Sequence, residues 1–210
     1  DIATNTMFMW SRNTTIPYKG LPKGRRFSFK LEDVQAIKDN VPNLRFISPR
    51  NQLGGFGGGN NVVRGLKTGA FNVYGDYPQI IRQEPMTITS GRFLNLNDID
   101  DNRKIAVIGD GVKNELYDKG EDVLGTYMKI KGVNFMVVGT YKKKSNDGDG
   151  EEGQKEIFVP FTAFSQAFNM SNDVGWMAIT AKDGSSISNM KEKIVGVVKE
   201  KRKIHPDDKR

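Results

Sequence analysis

The sequence predicts an α+β fold: a porter-like α/β sandwich subdomain built from both chain ends, with an inserted, smaller β-rich subdomain. Three observations predict it. The chain opens β-α-β, with β-formers over 2–10, a helix over Leu31–Asn40 and a strand over 44–48. It closes on a strand over 174–181 and its clearest helix, beginning near Ile187. Between them, from 86 to 169, short apolar β-type segments surround one short helix. The expected division is 1–85 plus 170–210 for the porter-like subdomain and 86–169 for the insert, with no internal repeat.

Each element has its own warrant. In the first helix Leu31, Val34, Ile37 and Val41 recur on one face, Glu32 and Asp33 suit the dipole of the first turn, and Pro42 stops it. Residues 62–66 and 70–74 read as strands joined through 67–69. KIAVIG at 104–109 is a short apolar run of buried-strand type, followed by a helix carrying Val112 and Leu116. Met128 and Ile130, then Phe135, Val137 and Val138, alternate around a turn with Gly132 and predict a hairpin. Residues 157–159 form a strand, and Phe161, Phe164 and Phe168 fit one face of a short helix after Pro160. The last helix follows Ser185 or Ser186 as cap, with Ile187, Met190, Ile194, Val197 and Val198 as its apolar stripe and lysines in its final turns. Met7, Phe8, Met9 and Trp10 alternate in a strand, with core as the default for the inward half.

Composition excludes much chemistry. The chain has no cysteine and one histidine, His205, between Ile204 and Pro206 in a charged tail. Disulfide scaffolds, thiol nucleophiles, His-based triads and Cys- or multi-His-ligated metal sites are therefore excluded. The net charge of +7 is 32 Lys+Arg less 25 Asp+Glu. The basic clusters Lys199, Lys201, Arg202, Lys203 and Lys142–Lys144 lack the interleaved aromatics of single-strand binders, so no nucleic-acid partner is expected. The longest uncharged run, 157–172, has 16 residues, short of the roughly 20 that a membrane-crossing helix needs.

The loop over 53–61 holds five glycines in nine residues but no Gly-Lys-Ser/Thr and no dinucleotide fingerprint, so it reads as a connecting loop. The acidic clusters Asn97, Asp98, Asp100, Asp101 and Asp147, Asp149, Glu151, Glu152 lack the glycine at position six of a calcium loop. Asp110, just after the KIAVIG strand, reads as a helix cap, and no G-x-S-x-G elbow is present. No catalytic residue, no metal ligand and no cofactor is expected.

The middle of the chain carries a recognisable order of residues: Gly91, Arg92 and Phe93, then Asp98, IAVIG ending at Gly109, Leu124–Gly125, Phe135 to Gly139, and Val159–Pro160. This order resembles the periplasmic core domain of MacB-type ABC transporter permeases, relatives of the FtsX-like permeases, and the tail 202–208 is similar to the end of that domain. The resemblance is strongest over 91–160 and poorest over 1–26 and 53–61. It implies a two-subdomain fold outside the inner membrane, between a first transmembrane helix and the remaining ones. The domain would hydrolyse nothing and would pass ATP-driven movement into substrate export or release. It implies as partners a cognate ABC ATPase through the transmembrane part, a second copy in a homodimer, and a periplasmic adaptor or lipoprotein substrate. Gly91, Arg92, Phe93, Asp98, Gly109, Gly125, Gly139 and Pro160 are the structural signature, with Arg92 and Asp98 expected to pin the insert by an ion pair. The competing reading is a stand-alone periplasmic or secreted binding module without transporter helices.

Overall fold

A computed structural model describes residues 5–55, 58–143 and 154–209. Asp147, Asp149, Glu151 and Glu152 and most of the acidic loop lie outside the described residues, as do 56–57 of the glycine-rich stretch. The chain is a mixture of helix and sheet, as the sequence predicts. Asp1 apart, it divides into two compact units, Asn51–Ser171 and Ile2–Arg50 with Asn172–Arg210. The first break thus falls well before the expected 85/86, the second just after 169/170, and the inserted unit is the longer of the two. The reason is strand pairing: Val62 on β4 (Val62–Arg64) pairs with Ile130, and β6 (Asn72–Asp76) pairs in parallel with Glu156–Pro160, so 62–76 belongs with the later strands.

In the terminal unit β1 (Thr6–Trp10) and β3 (Leu44–Leu53) flank β13 (Trp176–Ala181), both antiparallel. β3 runs five residues beyond 48 and contains Pro49, which pairs with Met177 of β13. Pairing with the second partner, β6, begins only at Asn51, so among the described residues the strand is paired on one edge at Pro49 and a missing N–H is tolerated. Helices α1 (Leu31–Asn40) and α6 (Ile187–Arg202) pack together. Val34 and Ile37 of α1 are buried, as are Ile194 and Val198 of α6. Polar groups join the helices too. The buried Asp33 carboxylate accepts from Arg202 Nε at 2.8 and 3.0 Å and from the Lys30 amide at 2.7 Å, and Arg202 also pairs with Glu32. Ser186 occupies the N-cap of α6 but makes no side-chain cap bond. The Asn5 side chain serves instead, accepting from the Ile187 amide at 2.8 Å. A short strand β2 (Phe29–Lys30), not foreseen, pairs with β12 (Asp173–Val174), and Gly175 separates β12 from β13.

The inserted unit arranges its strands in the order β6, β11 (Glu156–Pro160), β8 (Ile105–Gly109), β10 (Val133–Lys142), β9 (Tyr127–Ile130), β4, β5 (Lys67–Gly69). Residues 67–69 are therefore a strand, turned back on β4 at Gly65–Leu66, and not the simple connection expected. The β9–β10 hairpin turns at Lys131–Gly132, both with positive φ. Helix α4 (Asp110–Leu116) buries Val112 and Leu116, and α5 (Phe161–Ala167) buries Phe161 and Phe164. With Val73, Ile108, Phe135 and Ile157 these side chains form the core, apart from Phe161, which stacks on Tyr77. Phe164 lies so near β6 that a Cβ on Gly75 would collide with its ring. Three further elements escaped the pattern: α2 (Ile80–Gln83), β7 (Thr87–Gly91) and α3 (Leu96–Asp100).

Replacing Arg202 by Met strips the buried Asp33 of its cation, and is expected to cost about 2–4 kcal/mol in urea unfolding. Lys201→Met removes only a 4.0 Å exposed contact with Glu32 and should stay within about 0.5 kcal/mol of the parent.

Candidate functional site

The signature residues converge on β10, and the first of them sit where β10 departs from regular pairing. Its early residues Val133–Met136 pair with β9, and its late residues Gly139–Lys142 pair with β7. Between these, Val137 exchanges bonds with the 125–126 loop: the Gly125 amide donates to Val137 O at 2.8 Å, and the Val137 amide to Thr126 O at 2.9 Å. Against β8 the register slips between Val137 and Gly139, so Val138 is the extra residue of a bulge. Its carbonyl accepts from the Arg92 amide at 3.0 Å.

The bulge brings two backbones unusually close. Gly91 and Gly139 are register partners. A Cβ on Gly91, whose φ is +66°, would overlap Val138 O, and one on Gly139 would overlap Arg92 O. Both positions therefore demand glycine for space, and Gly91 also for its backbone angle. Gly109, opposite Tyr141 on β10, faces the same limit, because a Cβ there would overlap Gln154 O. Gly125 meets no neighbour, and its requirement is the φ of +81°.

From this junction the Arg92 side chain reaches Asp98. Nη1 donates to Oδ2 at 2.7 Å and Nη2 to Oδ1 at 3.0 Å, a bidentate fork, while Nη1 also reaches Phe93 O at 3.0 Å. Asp98 is fully buried. It belongs to a capping box: Asn95 Oδ1 accepts from the Asp98 amide at 3.0 Å and Asp98 Oδ2 from the Asn95 amide at 2.9 Å. Arg103 Nη1 adds a cation 3.5 Å from Oδ1. Burial pushes the Asp98 carboxyl up, but the Arg92 bond, the Asn95 amide and the two guanidinium charges outweigh it and hold it below its ordinary range. The Arg92 guanidinium is raised in turn by its bond to Asp98. A carboxylate so saturated with donors is an anchor for α3, with no free lone pair aimed at a reactant.

Phe93 carries the junction into the core, edge-on to Phe158 at 5.8 Å, and Tyr141 meets the same ring at 5.2 Å. Pro160 ends β11 and occupies the N-cap of α5, and on that helix Thr162 Oγ1 donates to Ile99 O of α3 at 2.6 Å. Asp110 is not the cap of α4: Gly109 holds that position, and Asp110 lies in the first turn, 3.5 Å from Lys142 Nζ.

Two clusters were not read from the sequence. Arg64 lies 3.8 Å over the Tyr117 ring, donates to Leu116 O at 3.0 Å and pairs with Glu121, which lowers the Glu121 carboxyl and raises Arg64. Tyr141 is buried and donates to Glu156 O at 3.1 Å, while Lys143 pairs with Glu156 at 2.6 Å. Burial drives the Tyr141 hydroxyl well above its ordinary range. Among the described residues no group of three or more His, Asp or Glu side chains is placed to hold a metal ion, and no helix is long and apolar enough to cross a membrane.

These features define an α+β domain of split-chain construction whose insert is organised by a glycine-permitted bulge and an ion-paired capping box. The chain belongs to the MacB-like periplasmic core domain family, whose model matches residues 2–197. It is 29% identical over 161 residues to the pyoverdine export ATP-binding/permease protein PvdT of Pseudomonas entomophila, covering 75% of this chain and 23% of that protein. It is 23% identical over 203 residues to the macrolide export ATP-binding/permease protein MacB of Bdellovibrio bacteriovorus, covering 97% and 30%. The chain thus spans under a third of the length of either relative. The fold is shared with the periplasmic region of MacB from Actinobacillus actinomycetemcomitans (TM-score 0.74, 16% identity, 95% of this chain and 85% of that one). It is shared as well with the extracellular domain of the transporter YknZ from Gram-positive bacteria (TM-score 0.77, 16% identity, 96% and 97%).

Arg92→Ala should lower unfolding free energy by about 1–3 kcal/mol, since Arg103 still faces the buried carboxylate and Arg92 is itself partly exposed. Because the folded Asp98 carboxyl lies below its ordinary value near 3.8, its contribution is complete above that pH and is lost as pH falls through the lower folded value. Urea midpoints of the parent should therefore fall more steeply below about pH 4 than those of Asp98→Asn.

Proposed function

We propose that this chain is the extracytoplasmic domain of an ABC transporter permease, passing ATP-driven movement of a membrane part to the export or release of a substrate. The observation that carries this reading is the family match over residues 2–197, supported by relatives named as export ATP-binding/permease proteins. In this reading the domain is periplasmic, attached to the inner membrane by helices on both sides of it, and ATP is hydrolysed by a cognate ATPase on the opposite side. The signature residues act mechanically. Gly91 and Gly139 let two strands meet backbone to backbone, Arg92 and Asp98 fasten α3 beside them, and Gly109, Gly125 and Pro160 fix the adjoining turns. A unit so braced moves as one piece, which is what a relay requires. The working form is a homodimer, and a periplasmic adaptor or lipoprotein substrate is its outer partner.

These 210 residues have no cysteine, so a spin label at Leu66, the fully exposed tip of the β4–β5 turn, is the one label within them once any cysteine in the rest of the full-length protein is replaced by serine. In the full-length protein with its ATPase in nanodiscs, the Leu66→Cys label should give an inter-protomer distance distribution that shifts between nucleotide-free and ATP-trapped states. A distribution unaffected by nucleotide, or no inter-protomer signal, would contradict the reading.

A further inference from the structure

The positive charge is confined to one unit. Residues 2–50 with 172–210 hold 18 Lys+Arg and 9 Asp+Glu, so 18 − 9 gives +9, whereas residues 51–171 hold 14 and 15, a balance of −1. Within the basic unit some cations are paired and others are not. Lys30, Arg202 and Lys201 face Asp173, Asp33 and Glu32. Lys19, Lys191 and Lys209 have no carboxylate partner within 4.0 Å among the described residues.

These three share one groove with Lys199. Tyr18, Lys19, Lys191, Val195, Lys199 and Lys209 line a cavity of about 850 Å³ along α6. Two carboxylates on its wall, Glu192 and Glu200, are outnumbered by the four lysines. The floor is apolar: Val195 and the buried Ile204 lie beneath, and Gly196 leaves open space where a side chain would stand. The groove continues into a second cavity of about 300 Å³ with Phe8, Met9 and Trp10, and the Trp10 ring is 56% exposed.

We infer that this groove is a contact site for anionic phospholipid, with lysines on the phosphate and the aromatic end of β1 at the level of the headgroups. Cationic rim, aliphatic floor and an exposed tryptophan beside lysines are what an anionic membrane surface selects. An acidic peptide would satisfy the lysines but gives no role to the exposed Trp10 or the apolar floor. The site belongs to the terminal unit and the β10 junction to the inserted one, and the site's failure would leave the transporter reading untouched.

The test is flotation of the 210-residue chain with vesicles of phosphatidylcholine alone and with about 30% phosphatidylglycerol, at low and high salt. Binding should require phosphatidylglycerol, weaken with salt, and blue-shift the tryptophan emission, a shift that Trp10→Phe abolishes while Trp176 still emits. Each lysine near an anionic surface is worth about fivefold in binding, so Lys19→Glu with Lys191→Glu should weaken it by about 25-fold or more. Lys129→Glu on the inserted unit should not. Thermal melts by circular dichroism keep loss of binding distinct from loss of fold. Equal binding to both vesicle types, equal loss in the Lys129 variant, or tighter capture of a poly-glutamate peptide than of the anionic vesicles would each overturn the assignment.

Discussion

The approach of Gly91 to Gly139 is the constraint on which the inserted unit depends. An N–H···O=C bond from Arg92 to a bulged Val138 requires two main chains to meet with no Cβ between them. Once they do, β10 takes its second strand partner on that edge, Arg92 emerges on the side where α3 starts, and Phe93 enters the aromatic cluster around Phe158. The ion pair to Asp98 is downstream of this geometry. It holds α3, whose Ile99 carbonyl receives Thr162 and so ties in α5. A chain of local requirements, each modest alone, leads from one backbone contact to the placement of two helices.

The ionic interactions divide by burial. Asp98 and Asp33 are fully buried and each is reached by an arginine, so removing either arginine strands a charge away from water. Lys67–Asp118 and Arg103–Asp101 are exposed and contribute little to stability. Both buried pairs fix a helix: Asp33 joins α1 to α6, and Asp98 joins α3 to the β7–β10 junction.

Much of this was legible in the sequence, and the exceptions have physical reasons. The pattern defines α1 over Leu31–Asn40, because Leu31, Val34 and Ile37 keep strict spacing and Pro42 stops the chain. IAVIG and the β9–β10 hairpin were equally plain. β7 escaped because TITSG is polar and largely exposed, so its strand character comes wholly from pairing with β10. α3 escaped because LNDID is too short for a period, although Asn95 and Asp98, three apart, were a capping signal on the page. Lys67–Gly69 has no apolar residue and so shows no strand pattern. β4 and β6 are drawn to β9 and β11 by long-range hydrogen bonds that no local pattern records, so their place in the inserted unit is not visible in the sequence. The Arg92–Asp98 pair was anticipated, whereas Arg103, Asn95 and the Arg64–Tyr117–Glu121 cluster were not, since sequence separation says nothing about which cation faces which acid.

The most direct test of the central constraint is amide hydrogen exchange on Gly139→Ala beside the parent chain. If the bulge organises the insert, protection should fall in β7, α3 and β10 while β13 and α6 of the terminal unit keep theirs. Unchanged protection at Arg92 and along β7 would contradict the account, because the added methyl would then have been absorbed without parting the two strands.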